Sequence, residues 1–482
     1  MKKTALALPL LLGAGALPAA ALAAAPDTVT TVTGVGLASP MNVNSLLPVV
    51  NNDSVGNFQA VQQLYRPLIW LSTDLKIDWT DSIAQSIKVS DDRTVFTVTL
   101  KDWKWSDGKP VTAADAAYGF KMIKDFGPRY QNTGIGGIPG IVKSFDVIDA
   151  HTFRMVLKHP VNTTWFELNG LSQITPAPAF AWKQYSIDYL NTHQTDPSLV
   201  QVVDGPYKLA SYEQGRKMEF VANPSYSGHQ PAIKHFVLKM VTSSDAAFAA
   251  LKTGDIQIGN VPPTLYNARH LVGNMKSLRT RGGFSFEYLP MNFNNPQVAF
   301  FHDLKVRKAL QFAIDEPLII KTVMHGIGVP GFTPVPSAPE TYLSPKIKAL
   351  VAHPDKMYRP AKAKQLLEEA GWKTGTDGIR EKDGKKLEFT LLVPSGVAWR
   401  LATAQILKQE WQSIGVKASI HQVTFNQEVS ELQSHKGWDM GMIGWTYSPD
   451  YYPSGGGLFN TGGGTNYGLY SDPKMDKLIE AT

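Results

Sequence analysis

Between residues 287 and 315 the chain reads as one short strand followed by one capped helix. Glu287-Tyr288-Leu289-Pro290-Met291 runs into the polar Asn292 and Asn294, and Pro296 breaks the segment. Asp303 can then accept the free amides of a first helical turn. Behind it, Val306, Ala309, Leu310, Ala313 and Ile314 recur at helical spacing and make one apolar stripe.

The rest of this half keeps alternating. Pro360 opens a helix with Ala363, Leu366, Leu367 and Ala370 inward, and Gly371-Trp372 ends it. Leu387–Val393 reads as a strand, 399–414 as a helix stopped by Gly415, Val416–His421 as a strand and Phe425–Gln433 as a helix. Trp438 to Trp445 reads as one buried strand. Helices that alternate with strands predict an open α/β sheet.

The first half carries more turns. Thr28–Gly36 alternates Val with Thr and small residues, which predicts a strand. Residues 58–71 predict a helix that ends in Leu64-Tyr65-Arg66-Pro67-Leu68. Thr94–Leu100 alternates again and leads to Trp105-Ser106-Asp107-Gly108-Lys109-Pro110-Val111-Thr112-Ala113-Ala114-Asp115. There Asp107-Gly108 marks a turn, and Thr112 with Asp115 forms an acidic capping box. Asp204-Gly205-Pro206-Tyr207 turns into another strand. Ser243 or Ser244 caps a helix that Gly254 stops, and Asp255-Ile256-Gln257-Ile258 predicts a strand after it.

These phrases, spread from about residue 64 to residue 479, resemble the extracellular solute-binding proteins that serve ABC-type importers of peptides, dipeptides and nickel. The resemblance implies an α/β fold of the type II periplasmic-binding-protein kind: two lobes joined by a hinge, with a third domain inserted in the first lobe. It divides the chain into a signal peptide (1–25), a first lobe in two parts (26–65 and 195–286), an inserted domain (66–194) and a second lobe (287–482). In that family the strand near residue 287 crosses between the lobes. Its members run on past the Tyr467 to Ile479 phrase, with a second crossing strand and a return to the first lobe. Here the chain stops at Thr482, so that return is not expected in it.

Residues 1–25 read as an address. Lys2 and Lys3 precede an apolar run, Leu6 to Leu17, too short to span a bilayer, and Ala21-Leu22-Ala23 or Ala23-Ala24-Ala25 offers a cleavage site. The other reading, a short membrane anchor, is weakened by Pro9, Gly13 and Gly15. The absence of cysteine excludes disulfides, thiolate metal sites, cysteine nucleophiles and the lipid-bearing cysteine of a tethered binding protein. A soluble protein in the periplasm is expected, provided the source has an outer membrane, and a monomer is expected there. Setting Lys2 and Lys3 aside, 45 basic residues face 41 acidic ones, interspersed and without a basic aromatic stripe, so nucleic-acid binding is not expected.

The loop Gly444-Trp445-Thr446-Tyr447-Ser448-Pro449-Asp450-Tyr451 follows the buried strand, where ligands of open α/β sheets sit. In peptide-binding relatives an aspartate three residues after the tryptophan pairs with the peptide's amino terminus. That position is Ser448 here. A serine cannot neutralise a buried ammonium. Either Asp450 takes the role from a shifted position, or the ligand lacks a free amino terminus. Trp445, Tyr447 and Tyr451 are candidate cleft walls, although Trp445 also suits a core and Asp450 an exposed turn. Asn292 and Asn294 can hold a ligand backbone, lock the hinge or satisfy the neighbouring loop. Ser39 and Asn42 lie on the loop that leaves the first strand and should reach the cleft.

Other motifs carry little. Gly134-Ile135-Gly136-Gly137-Ile138-Pro139-Gly140 has no strand before it, and Pro139 blocks the helix a nucleotide fingerprint needs. Gly455-Gly456-Gly457 and Gly462-Gly463-Gly464 lack a phosphate-loop lysine and read as a mobile lip. The histidines show no metal-ligand spacing, and no cofactor is expected. Glu368 and Glu369 are consecutive on a helix and point apart, so a hydrolase finds no paired carboxylates. The expectation is a non-enzymatic carrier of peptides that docks on a membrane permease. An oligosaccharide or opine-like solute is the alternative within the same class, and a secreted hydrolase a remote one.

Overall fold

The Val and Thr residues after Asp27 form strand β1 (Thr28–Val32), which is buried from its second residue on. Its sheet partner comes much later in the chain. Before that partner, β2 (Ala84–Val89), β3 (Val95–Leu100), β4 (Val142–Val147) and β5 (Thr152–Leu157) build an antiparallel sheet of their own, in the order β2-β3-β5-β4. The chain then returns through β6 (Tyr207–Glu213), β7 (Lys217–Ala222) and β8 (His235–Lys239). Strand β8 runs parallel to β1, so the sheet order is β1-β8-β7-β6. One sheet is thus inserted into the connection of another. The computed structural model describes residues 27–34, 42–49, 55–72, 76–130, 132–276, 285–336, 342–447 and 455–481.

A single apolar core joins these two sheets: Leu64, Tyr65, Phe96, Trp103, Phe220 and Leu238 all belong to it. Polar ties reinforce the junction. Arg66 donates from Nε to the Tyr226 hydroxyl at 2.9 Å, and its guanidinium lies 3.9 Å from the Trp70 ring centroid. Trp103 Nε1 donates to the Asp204 carbonyl at 3.1 Å. The capping box forms as expected: the Asp115 carboxylate accepts the Thr112 amide and hydroxyl, each at 2.9 Å, at the start of helix Ala113–Phe126.

Strand β9 (Ser285–Tyr288) leads into the second lobe. Asp303 caps helix Leu304–Phe312 by accepting from the Lys305 amide at 2.8 Å, and Val306, Ala309 and Leu310 are buried. A small antiparallel sheet follows, β10 (Lys373–Thr374), β11 (Arg380–Lys382) and β12 (Lys385–Lys386). Asp383 and Gly384, at φ 50° and 73°, make the two-residue turn between the last two. Then β13 (Glu388–Pro394), β14 (Lys417–Val423) and β15 (Met440–Gly441) form a parallel sheet with β13 in the middle. Parallel neighbours need crossovers, which helices Ala398–Ser413 and Phe425–Ser434 supply. This lobe has its own core, including Phe301, Leu310, Leu367, Phe389, Trp411 and Met440. Among the described residues no helix is long and apolar enough to cross a membrane.

Four expectations change. The helix expected over 58–71 is Val55–Leu64. Pro67 disfavours helical backbone at Arg66, and the chain turns away before it. Residues 255–258 form no strand. They lie beside β1, but the Gln257 side chain takes the ladder position, accepting the Thr30 amide at 2.9 Å while the Gln257 amide donates to the Thr30 carbonyl at 2.9 Å. The single strand expected from Trp438 to Trp445 is two: β15, and then β16 (Ile443–Thr446), which leaves that sheet to pair antiparallel with β9. Finally, Gly455, Gly456 and Gly457 are buried rather than a lip, and open a short helix, Gly456–Phe459.

Candidate ligand-binding site

The β9–β16 ribbon sorts its side chains by face. Phe286 opposes Trp445 and Tyr288 opposes Ile443, so aromatic residues gather on one side. Glu287 opposes Gly444 on the other. On the aromatic side Phe286 lies 5.4 Å from Tyr288 and 5.9 Å from Tyr447, and Trp445 meets Tyr447 edge-on at 6.4 Å. The Tyr447 hydroxyl donates to the Pro334 carbonyl at 2.7 Å, which fixes the ring. Trp445 is buried, yet its Nε1 donor has no partner among the described residues.

Ile135, from the inserted segment, packs on Trp445, Tyr447 and Leu458. Its backbone is held at both ends. Gln173 Nε2 donates to the Ile135 carbonyl at 2.7 Å, and the Ile135 amide donates to the Asn132 carbonyl at 3.1 Å. The approach opposite is close: a Cβ on Gly457 would stand 3.3 Å from Ile135 Cγ1 and 3.1 Å from Thr465 Oγ1. Two more contacts join the lobes. The Ser244 amide and hydroxyl both donate to the Gly396 carbonyl, and the Asn42 amide reaches Asn426 Oδ1 at 3.4 Å. The lobes therefore meet at three places, one of them the aromatic ribbon.

On the opposite face Arg400 grips Glu287 with Nη2 to Oε1 at 2.6 Å and Nε to Oε2 at 3.2 Å. Gly444 leaves room for this pair. Glu428 lies close by and fully buried, with one oxygen near the Met442 amide at 3.4 Å and Oε2 without a partner. Burial pushes its carboxyl up to about 8, against the pull of Arg400. Among the described residues no cluster of His, Asp and Glu could hold a metal ion.

A family model described as "Bacterial extracellular solute-binding proteins, family 5 Middle" matches residues 79–467. The chain belongs to this family. Among curated relatives, the oligopeptide-binding protein AppA of Bacillus subtilis is 30% identical over 420 residues, which are 85% of this chain and 73% of AppA. The oligopeptide-binding protein OppA of Lactococcus lactis is 24% identical over 91% of this chain and 77% of its own. Among solved structures, AppA in complex with a nonapeptide superposes with a TM-score of 0.79 at 26% identity, covering 94% of this chain and 87% of that one. NikZ of Campylobacter jejuni in complex with Ni(L-His) superposes at 0.77 with 23% identity, covering 94% and 86%. One fold thus houses very different ligands, so the ligand of this family 5 protein must be argued from its own side chains.

Of the residues singled out from the sequence, Trp445 and Tyr447 share the aromatic cluster, whereas Asn42 lies on a loop whose contact with the second lobe is to Asn426. That loop is anchored by Asn57, whose Oδ1 accepts the Asn44 amide at 2.9 Å and the Ser45 amide at 3.2 Å. Asn292 stands apart, spent on backbone. Its Nδ2 donates to the Trp438 carbonyl at 3.0 Å, its Oδ1 accepts the Asn294 amide at 3.0 Å, and its own amide donates to the Asp439 carbonyl at 2.9 Å. Asn294 is exposed and reaches the His435 carbonyl at 3.3 Å. Ser39, Ser448, Asp450 and Tyr451 lie outside the described residues. Ile135, Glu287, Arg400 and Glu428 were not anticipated. Ile135 could have been noticed as the one bulky apolar residue amid the glycines of 134–137. Nothing local marks Arg400.

Proposed function

We propose that this family 5 protein binds peptides between its lobes in the periplasm and delivers them, as a monomer, to the permease of an ABC-type importer. The observation that carries the reading is the Trp445–Phe286 pair on the β9–β16 ribbon, roofed by Ile135 from the other lobe. When the lobes part and Ile135 lifts off the ribbon, an extended chain there meets aromatic area and the unpartnered Trp445 Nε1, an arrangement that favours main chain over any one side chain. In this reading the ligand contacts come from Trp445, Tyr447, Ser448, Asp450 and Tyr451 in the second lobe and from Ser39 and Asn42 in the first. Asn292 and Asn294 act on the hinge by fixing the strand entering the second lobe. This reading keeps 66–194 as the inserted domain and has 1–25 removed on export.

Peptide-binding names among the relatives support this choice of ligand. The presence of Ser448 where an amine-pairing aspartate is expected favours a second reading, a solute without a free amino terminus such as an oligosaccharide or opine. A thermal-shift screen of the mature protein with di- to pentapeptides, saccharides and nickel chelates tests both. A shift with peptides is expected. No shift with any peptide and a clear one with a saccharide or chelate rejects the peptide reading.

A further inference from the structure

Ile135 stands on a braced loop. Its carbonyl accepts from Gln173 Nε2, its amide donates to Asn132, and the Gly134 amide donates to the Ile138 carbonyl at 3.0 Å. Gln173 is fixed in turn by Tyr130, whose hydroxyl donates to Oε1 at 2.9 Å. Next to Ile135, Gly136 has φ 59°, and a Cβ there would stand 2.5 Å from the Asn169 carbonyl oxygen and closer still to the Gly170 amide nitrogen. The loop backbone is thus seated on the helical turn Phe166–Gly170. A loop held this way moves with its own domain, so Ile135 leaves the ribbon when the lobes part and not by local melting.

The Ile135 side chain is 2% exposed and covers aromatic surface of Trp445 and Tyr447. The fit is apolar only. Trp445 keeps Nε1 without a hydrogen-bond partner among the described residues. So does Oγ1 of Thr465, whose amide donates to the Gly457 carbonyl at 3.1 Å beside the contact. Both atoms are buried, and a hydrocarbon side chain satisfies neither. A peptide main chain carries the amides and carbonyls that such groups pair with. The ribbon therefore holds Ile135 by contact area and has polar capacity that Ile135 leaves unused.

We infer that Ile135 is a tethered competitor of the ligand: its side chain takes the ligand's place on the Trp445–Tyr447 surface, and binding displaces it. The inference rests on the ribbon being the ligand site. Between ligands the competitor shields an aromatic patch that would otherwise face water. It also divides the apparent affinity by the share of molecules whose ribbon stays uncovered.

Calorimetry with trialanine and pentaalanine on the wild type, Ile135→Ala and the milder Ile135→Val tests it. Both variants should bind tighter, Ile135→Ala by about threefold or more and Ile135→Val by less, because the ligand's surface is kept and the competitor weakened. A side chain that touched the bound ligand would give the opposite sign. Affinity that falls or stays equal in Ile135→Ala overturns the competitor and leaves the peptide reading standing. A peptide held by Ile135→Ala and not by the wild type supports it. If none of the proteins binds either peptide, the peptide reading loses ground, and small-angle scattering from the proteins alone decides the competitor. Ile135→Asp cannot bury its carboxylate against the rings, so it should show a larger radius of gyration than the wild type. Equal radii overturn the inference.

Discussion

Ser244 of the first lobe donates its amide to the Gly396 carbonyl of the second at 2.9 Å, and its hydroxyl to the same oxygen at 3.1 Å. Gly396 has φ 80°, and a Cβ there would stand 2.4 Å from the Thr242 carbonyl oxygen. Gly396→Ala therefore meets backbone strain and a backbone clash across the lobe boundary, together about 1–3 kcal/mol. The variant should favour the open form. Small-angle scattering with saturating ligand should show a larger radius of gyration, and calorimetry an affinity lower by about tenfold or more. Equal radius and equal affinity would remove this contact from the closing mechanism.

Asp450 and Trp445 separate the two ligand readings. For a peptide held by its amino terminus, Asp450→Asn should cost about 3–5 kcal/mol, at least a hundredfold in affinity, and N-acetylated peptides should already bind the wild type poorly. For a neutral saccharide the same change should do little, while Trp445→Ala should be severe through lost contact area. Calorimetry on both variants with the best screened ligand distinguishes them. If neither variant loses affinity, the site lies on another loop.

Glu428 makes stability depend on pH. Its folded carboxyl titrates at about 8, above its ordinary value of 4.5. Between those values the unfolded chain has released a proton that the native chain still holds, so stability falls as pH rises through that window. Glu428→Gln removes the ionisable group. Urea melts should show the variant gaining on the wild type by on the order of a few kcal/mol at pH 8.5 and by little at pH 4. Parallel pH profiles for the two proteins would show that Glu428 is not the titrating group.

Gly444 is the space that the Glu287–Arg400 pair occupies. A Cβ there would come 2.4 Å from Glu287 Oε1 and 3.1 Å from Arg400 Nη2. Arg400 is only 2% exposed, so weakening its pair leaves charge poorly solvated. Gly444→Ala should destabilise the protein by about 2 kcal/mol or more, less than a fully buried pair because Glu287 is partly exposed. A thermal melt within a degree of wild type would mean that the pair shifts at no cost.

Most elements of the second lobe were legible because one local signal sufficed for each. Asp303 could be read as a cap, Gly415 as a stop, and Ala363, Leu366 and Leu367 as a stripe, and the structure uses them so. Where the sequence misled, a distant partner had decided. Trp438 to Trp445 looks like one strand, but Gly441 donates its amide to the Pro290 carbonyl and the chain then joins β9 instead of β13. The candidate site was half legible for the same reason. Trp445 lies on β16 and Tyr447 just after it, at the end of an apolar run that the sequence shows. Ile135 and Arg400 reach the ribbon only through tertiary contacts, which no spacing in their own neighbourhoods encodes.

Gln257 has a role beyond its own turn. Strand β1 is the last strand of its sheet, and an unpaired strand edge invites a second molecule to add to it. Here the Thr30 amide is covered by the Gln257 side chain and the Thr30 carbonyl by the Gln257 backbone. The residue that failed to become a strand blocks strand addition at that point of the edge. At Thr30 the outer edge of β1 is thus already occupied by the protein's own Gln257.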